Sequence, residues 1–299
     1  MNARSLSAAV LLTVAVTLPA QEAADADTLW KYSGVTSLNL SQLSLTNWAA
    51  GGENSVSGNG LLQLAADYDD GKLNWNNALN LGYGLIRQGE SPTRKSDDKI
   101  DFSSKMGYKA GGKWLYSGLL SFRTQFAPGY DKPAETDRTK ISNFLAPGYL
   151  NLSAGMDYKP GPAFSLFLSP VTGKFTFVTD EDLSALGVFG LEPGQKSRAE
   201  LGGYVKMALK KEIMKNVVLD TKVDLFSNYL NEPQYIDVNW DLLLSFKVNQ
   251  YISASLVTQM IYDHDIEFGS DTNGDGTNDT FEPRIQFKEL FGIGFSYSF

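Results

Sequence analysis

The chain has 299 residues, 26 of them basic and 34 acidic, for a net charge of −8, with one His and no Cys. Without Cys there are no disulfides, thiolate metal sites, Cys nucleophile or lipidated amino-terminal Cys, so an exported chain of this length must be held by its own backbone hydrogen bonding. The negative balance, and the lack of a surface on which basic and aromatic residues interleave, argue against nucleic acid as a partner.

In chain order, the first feature is an export signal. Arg4 precedes the small and apolar run from Ser5 to Ala20, and Leu18-Pro-Ala20 before Gln21 offers a small-residue cleavage site. The run is short for a spanning helix, which needs about 20 apolar residues. We therefore read 1–20 as a signal peptide and 21–299 as a single domain, with a second possible cut after Ala24-Asp-Ala26. Cleavage after Ala20 removes only Arg4 among charged residues and takes the net charge from −8 to −9. No later stretch has the length of an apolar helix, and the mean hydropathy is −0.21. Membrane barrels escape hydropathy averages because only alternate residues face lipid.

Alternation at period two then predicts about twelve strands. The first, 32–45, offers Leu38 and Leu40 with Val35 as a further candidate; the second, 55–69, points Val56, Leu62, Leu64, Ala66 and Tyr68 outward. The third, 72–87, is the cleanest: Leu73, Trp75, Leu79, Leu81, Tyr83 and Leu85 face out, while Asn74, Asn76, Asn80, Gly82 and Gly84 face in. Strands at 98–110, 113–127 and 148–159 follow the same rule. The seventh, 163–178, begins on Phe164, Leu166 and Leu168 but ends on Phe175 and Phe177, so its phase changes, and a bulge is expected near Pro170 and Gly173. The remaining strands are 198–210, 216–229, 236–248, 251–263 and 284–299. In the last, Phe291, Ile293, Phe295, Tyr297 and Phe299 share one face, with only Gly and Ser behind them.

The connections alternate in length. Short ones are Asp69-Asp70-Gly71, Ala110-Gly111-Gly112, Lys159 to Pro162, Lys211 to Asn216 and Asn249-Gln250; longer ones are 46–55, 88–98, 128–147, 179–197, 230–235 and 264–283. Short periplasmic turns, longer outer loops, an even strand number and an aromatic carboxy-terminus make the plan of an up-and-down outer-membrane β-barrel. A soluble sandwich or propeller accounts for the alternation but not for this asymmetry. The expected location is the outer membrane of a Gram-negative bacterium, with outer-membrane lipids as neighbours and the barrel assembly machinery engaging the final strand. The repeated pieces Phe126-Ala-Pro-Gly-Tyr130 and Leu145-Ala-Pro-Gly-Tyr149 read as a mirrored girdle at headgroup level.

Several segments carry a family resemblance: Asn47-Trp48-Ala-Ala-Gly51-Gly52-Glu-Asn54, Arg94-Lys95-Ser-Asp97-Asp98-Lys99, Gln125-Phe126, Asn143 to Pro147, Leu168 to Lys174, and Gln286-Phe287-Lys288-Glu289-Leu290-Phe291-Gly292. Together they resemble the Bacteroidota outer-membrane family called domain of unknown function 3078. The resemblance implies an outer-membrane barrel and supplies no activity and no catalytic residues.

Two motifs bear on chemistry. Asp271, Asn273, Asp275, Thr277, Asp279 and Glu282 fit the twelve-residue calcium-loop spacing, with Gly276 at the turn position. Flanking strands rather than helices, and Asn278 at an ordinarily apolar position, depart from that pattern; the other reading is a solvated outer loop. Bound Ca2+ would be the one cofactor, stiffening the loop. His264, between Asp263 and Asp265, is the single His and the sole support for a barrel-embedded lipid hydrolase; no Ser sits in a nucleophile motif. Trp48, Gly51, Gly52 and Asn54 form an outer-loop motif open to a binding or a packing role.

The predicted inner face holds Lys99, Asp101, Lys105, Arg123, Glu200, Lys206, Asp220, Lys222, Asp224, Asp237, Asp241 and Lys247. Among them Arg123, Lys206, Asp220, Lys222 and Asp241 are the candidate lumen site. Both signs interleave, so these groups can pair across the lumen and narrow it. The expected function is a narrow pore or uptake protein for small polar solutes, without enzymatic activity. The alternative is a surface-exposed structural or binding barrel with calcium-stiffened loops.

Overall fold

A sheet with one apolar face and no helices to cover it has to close on itself or find lipid, and this chain closes on itself. The computed structural model describes residues 29–45, 53–131, 138–249, 251–273 and 278–298; the expected signal peptide and Phe299 lie outside them. Twelve antiparallel strands form a closed barrel. They are β1 (Trp30–Leu43), β2 (Ser55–Asp69), β3 (Leu73–Gln88), β4 (Arg94–Gly111), β5 (Trp114–Thr124), β8 (Gly148–Gly161), β9 (Phe164–Phe177), β10 (Ser197–Met214), β11 (Val217–Asn228), β12 (Ile236–Lys247), β13 (Ile252–Tyr262) and β16 (Gln286–Ser298). Each pairs with its neighbour in sequence, and β1 closes on β16 from Val35 opposite Ser298 to Asn39 opposite Gly294. Outer loops carry two small hairpins, β6 (Gly129–Tyr130) with β7 (Lys140–Ser142) and β14 (Glu267–Ser270) with β15 (Thr280–Pro283), and one helix, α1 (Glu181–Leu186). No helix among the described residues is long and apolar enough to cross a membrane.

The short turns are built by the residues that predicted them. Asp70 Oδ1 accepts from the Lys72 and Leu73 amides at 2.8 and 2.6 Å, and Asp69 Oδ1 accepts from Gly71, whose φ of 82° suits glycine. Those amide bonds, the Leu73 bond foremost, hold the Asp70 carboxyl below its usual pKa. Asn249 Oδ1 caps the β12–β13 turn in the same manner, taking the amides of Tyr251 and Ile252 at 2.8 Å each.

The outward face is as expected at Leu38, Leu40, Trp75, Tyr83, Met106, Leu152, Leu201 and Phe295, all exposed in the isolated chain. Val35 is the exception: it lies on the opposite face from Leu38 and Leu40, because a strand reverses side at every residue. Near the short turns Trp30 packs on Tyr68 and Trp75 with ring centroids 5.3 and 5.5 Å apart, and Trp114 on Tyr158 at 5.0 Å. This is an aromatic girdle at one rim.

The expected bulge is present. Leu168 pairs with Met156 and Val171 with Ala154, so Ser169 and Pro170 face Gly155 alone. The glycine is required there, because a Cβ on it would run into the backbone of Leu168 and Ser169. The mirrored-girdle reading is corrected. Tyr149 pairs with the inward residue Arg123 and so shares the lumen face, while Tyr130 sits in the β6–β7 hairpin under the Arg138 guanidinium. The bridged pair Asn143–Ala146 turns the chain at the start of the second segment, so their sequence likeness does not give them like positions.

Candidate functional site

The inward positions of β4, β5, β10, β11 and β12 bring charges of both signs to the middle of the lumen. β4 and β12 stand six strands apart in the ring of twelve, so they face each other across it. Lys99 from β4 nevertheless reaches Asp241 of β12 at 2.8 Å. Arg123 from β5 donates to Asn239 Oδ1 at 2.6 Å and meets Asp241, Asp101 and Asp224 at 3.3, 3.6 and 3.7 Å. Lys206 of β10 holds Asp224 at 2.7 Å, and the Tyr204 hydroxyl donates to the same oxygen at 2.6 Å. Gln259 completes the Asp241 shell at 3.0 Å. Arg123, Lys206 and Asp241 are thus one network, as the interleaved charges suggested. Among the described residues, Asp220 and Lys222 make no ion pair with it but share with Lys99, Asp101 and Asp241 the lining of a cavity of about 80 Å³ that reaches the β2, β13 and β16 wall.

A second part of the lumen is closed by something the charges did not signal. Leu119, Phe167, Tyr204 and Phe226, from β5, β9, β10 and β11, form a buried apolar cluster inside the barrel, with Phe167 fully covered. Phe226 fits because Gly202 lies beneath it; a Cβ there would come within 2.7 Å of the ring. These residues sit at inward positions, where the sequence was read for charged and small residues and not for apolar ones. The available signal was an aromatic two residues from a lumen charge on the same side, as with Tyr204 and Lys206 or Asp224 and Phe226.

Toward the long-loop rim, Lys174 is buried among Asp237, Asp263 and Glu200 at 2.6, 3.4 and 3.7 Å, and Arg198 joins Glu200 at 2.8 Å and Asp265. Lys174 enters the lumen because the Pro170 bulge inverts the phase of β9. His264 stacks on Tyr235 with centroids 3.7 Å apart and meets the Tyr262 hydroxyl at 3.3 Å and Glu232 at 3.7 Å. Among the described residues the polar contacts of its ring are Tyr262 and Glu232, and none is a serine hydroxyl.

The loops above β5, β8 and β9 lock together. Ala146, Val178, Leu183 and Leu191 form a second buried cluster, and Asp180 caps α1 by accepting from the Leu183 amide at 3.2 Å. Asp180 also takes Asn143 at 2.8 Å and Lys140 at 2.7 Å. Partial burial would raise its pKa, but the hydrogen bonds from Lys140, Asn143 and Leu183 prevail and bring it to about 2. A folded-state pKa below the unfolded value of about 3.9 contributes stability that is present above that value and lost as pH falls toward 2. Protease nicking of 178–196 should therefore stay slow down to pH 4 and accelerate between pH 4 and 2, and Asp180→Asn, which keeps a cap and loses the ion pair, should nick faster at pH 6.

For the calcium pattern, Asp275 and Thr277 lie outside the described residues. Asp279 Oδ2 accepts from the Thr272 and Asn273 amides at 3.0 and 3.2 Å, and Glu282 Oε1 is held by Arg284 at 2.8 Å. The donor set suits a hard cation, while two of its carboxylates are engaged elsewhere, so binding would have to draw Glu282 from Arg284. Of the outer-loop motif, Trp48, Gly51 and Gly52 also lie outside the described residues. Asn54 Oδ1 accepts from the Leu45 amide at 2.6 Å, and its carbonyl accepts from Gly89 at 2.7 Å. That is a packing role at the loop base.

Residues 40–130 match the family model described as a protein of unknown function, DUF3078, the family that the sequence motifs resemble. No curated protein matches. Among solved structures, the chain is similar to an outer membrane channel from Pseudomonas putida F1, at 10% identity and TM-score 0.38, over 90% of this chain and 94% of that one. It is also similar to the translocator domain of the autotransporter NalP from Neisseria meningitidis, at 9% and 0.36, over 90% and 88%. A third is OprB from Pseudomonas putida, at 10% and 0.30, over 90% and 94%.

Proposed function

We propose that the chain is an outer-membrane barrel of a Gram-negative bacterium whose lumen is a narrow passage for small polar solutes. The observation that supports this reading is the Lys99–Asp241–Arg123 bridge. It spans the barrel between opposite walls and so narrows the lumen with side chains. A twelve-stranded barrel is wider than the eight-stranded kind that side chains fill and short of a 16-stranded porin. Here the apolar cluster fills one side, and the charged bridge and its adjoining cavity occupy the other. Lumen charges are nearly balanced, so the conductance should be small and the ion selectivity weak.

Two measurements test this. The mature protein should fractionate with outer membranes and migrate differently on gels when unboiled; recovery from the soluble periplasm would end the barrel reading. In planar bilayers the folded protein should give small single-channel steps, and complete absence of current from both the native protein and bridge variants would end the passage reading. The surface-binding reading would then lead.

In that second reading the 271–282 loop binds Ca2+. What supports it is the spacing of the motif and the Asp279 carboxylate, which holds the Thr272 and Asn273 amides; Glu282 stands opposite Phe268 in the β14–β15 hairpin and would have to move toward that turn. Calcium should slow protease nicking within 271–282, and Glu282→Gln should abolish most of that protection; nicking indifferent to calcium and to chelator would remove the ion from the account.

A further inference from the structure

The barrel is not zipped equally all the way round. Eleven of its ladders join ten to fifteen residue pairs each, whereas β1 and β16 share five, from Val35 opposite Ser298 to Asn39 opposite Gly294. Continued toward the long loops, that register would set Leu40 opposite Ile293 and Leu43 opposite Leu290. Those pairs are not made. Both stretches keep their other neighbour: 40–43 pair with 55–58 of β2, and 290–293 with 254–257 of β13. Alternate residues of each therefore turn an N–H and a C=O toward a strand that does not meet them. Asn39, the last lumen-facing residue of the ladder, packs over Gly292, where a Cβ would lie 3.0 Å from its Cγ. Its Nδ2 is buried with no hydrogen-bond partner among the described residues.

Unpaired backbone at membrane depth is tolerated where it is buried in protein or lines a cavity that holds water. Such a cavity lies behind this seam. The space of about 80 Å³ in the lumen is lined by Leu61 and Gln63 of β2 and by Lys288 of β16, the strands on either side of β1, and it has room for water. Lys288 reaches past β1, β2 and β3 to Asp97 of β4 at 2.8 Å, and Asn59 of β2 donates to the same carboxylate at 3.1 Å. Among the described residues this is the one ion pair that β16 makes, so it ties the unpaired stretch of β16 to the wall beyond the gap. We infer that the seam is a lateral portal between the lumen and the bilayer for a single-chain amphipath with an uncharged polar head, latched by Lys288 and Asp97. Leu40, Phe291 and Ile293 are exposed on the outward face at its two sides and suit an alkyl chain. The cavity offers a head group the amides of Gln63 and Asn80, and its four carboxylates and three ammonium groups nearly balance, so neither an anion nor a cation is favoured. This route leaves the barrel sideways and goes beyond a passage along its axis.

The chain has no Cys, so thiols can be placed singly or in pairs, with gel migration of the unboiled protein as the check that each variant is folded. In lipid nanodiscs, Leu40→Cys with Ile293→Cys is compared with Ala254→Cys with Ile293→Cys, a pair that spans a complete ladder. A disulfide needs Cα atoms within about 7 Å, so the ladder pair should oxidise fully and the seam pair should lag it or fail. Equal rates would show that the ladder continues and would overturn the proposal. Disulfide-linked dimers of the Leu40→Cys single variant would also overturn it, since the edge would then serve a second copy. Passage is read with a monoacylglycerol that carries a diazirine on its glycerol head. Illumination should label 61–63 of β2 and 257–259 of β13, located by mass spectrometry. Bridging the seam pair with bismaleimidoethane should abolish that labelling, bridging the ladder pair should leave it, and Lys288→Gln should increase it by releasing the latch. No label in the cavity, label that survives the seam bridge, or label unchanged in Lys288→Gln would each sink the portal as stated. Equal labelling by a fatty-acid probe with its diazirine beside the carboxylate would overturn the choice of an uncharged head. Conductance in potassium chloride is recorded separately, so loss of current alone counts against the axial passage and loss of labelling alone against the portal.

Discussion

Arg123→Ala and Asp241→Asn should both raise the single-channel conductance and should shift ion selectivity in opposite directions. Each contact of Arg123 with Asp101, Asp224 or Asp241, at 3.3–3.7 Å, carries a gross attraction of about 4 kcal/mol at an effective dielectric near 20, most of it offset by desolvation. Removing the guanidinium frees its volume from the bridge and leaves one negative charge in excess at the constriction, so the reversal potential in a salt gradient should move toward that of cations. Asp241→Asn releases both Lys99 and Arg123 and leaves one positive charge in excess, moving it toward anions. The double variant should return near neutrality while keeping the higher conductance, because the two changes act on one network and do not add. Raising ionic strength should blunt both shifts, since the exposed charge is screened over about 8 Å in physiological salt. Two single variants that shift the same way, or neither, would show that ions do not pass this bridge.

Much of this architecture was legible because a barrel strand announces its outward face. Leu73, Trp75, Leu79, Leu81, Tyr83 and Leu85 alternate without a break in β3, and the Asp-Asp-Gly and Asn-Gln turns fix the ends of their hairpins. The phase change at Pro170 could be read from the apolar residues on either side of it, Leu168 and Phe175. Inward residues are harder. Period two says that Arg123 and Asp241 face the lumen but gives no angle around the ring, so their meeting across strands β5 and β12 follows only from closure. The inner apolar cluster was missed for a related reason. An inward Phe is chemically indistinguishable from an outward one, and Phe167 lies between Leu166 and Leu168, which satisfied the lipid-facing pattern alone. Val35 and Tyr149 were misassigned by weighing composition over parity. The loops were read for length only; nothing in their spacing indicates that Lys140, Asn143 and Asp180 converge.

The largest stability effect should come from that inner cluster. Phe167→Ala removes a fully buried ring whose centroid lies 6.4 Å from that of Tyr204. In a protein core such a truncation costs about 3–5 kcal/mol, in part as transfer and in part as the void left behind. Here the void would border Asp224 and Lys206, which already contact Tyr204 or its partner. Water can therefore enter at modest cost, and we expect the low end of that range, about 3 kcal/mol. Tyr204→Phe separates the two contributions. It keeps the ring and removes only the hydroxyl that donates to Asp224 at 2.6 Å, leaving the carboxylate to Lys206 and Arg123, for a cost of about 1–3 kcal/mol. Gly202→Val should be the most disruptive change, since its side chain would occupy the space of the Phe226 ring and the strand cannot retreat without leaving β11. The measurement is the urea midpoint of the folded barrel in lipid, read by gel migration. If Phe167→Ala were as stable as the native protein, the cluster would be no more than filler, and the barrel would owe its stability to strand pairing and lipid contact alone.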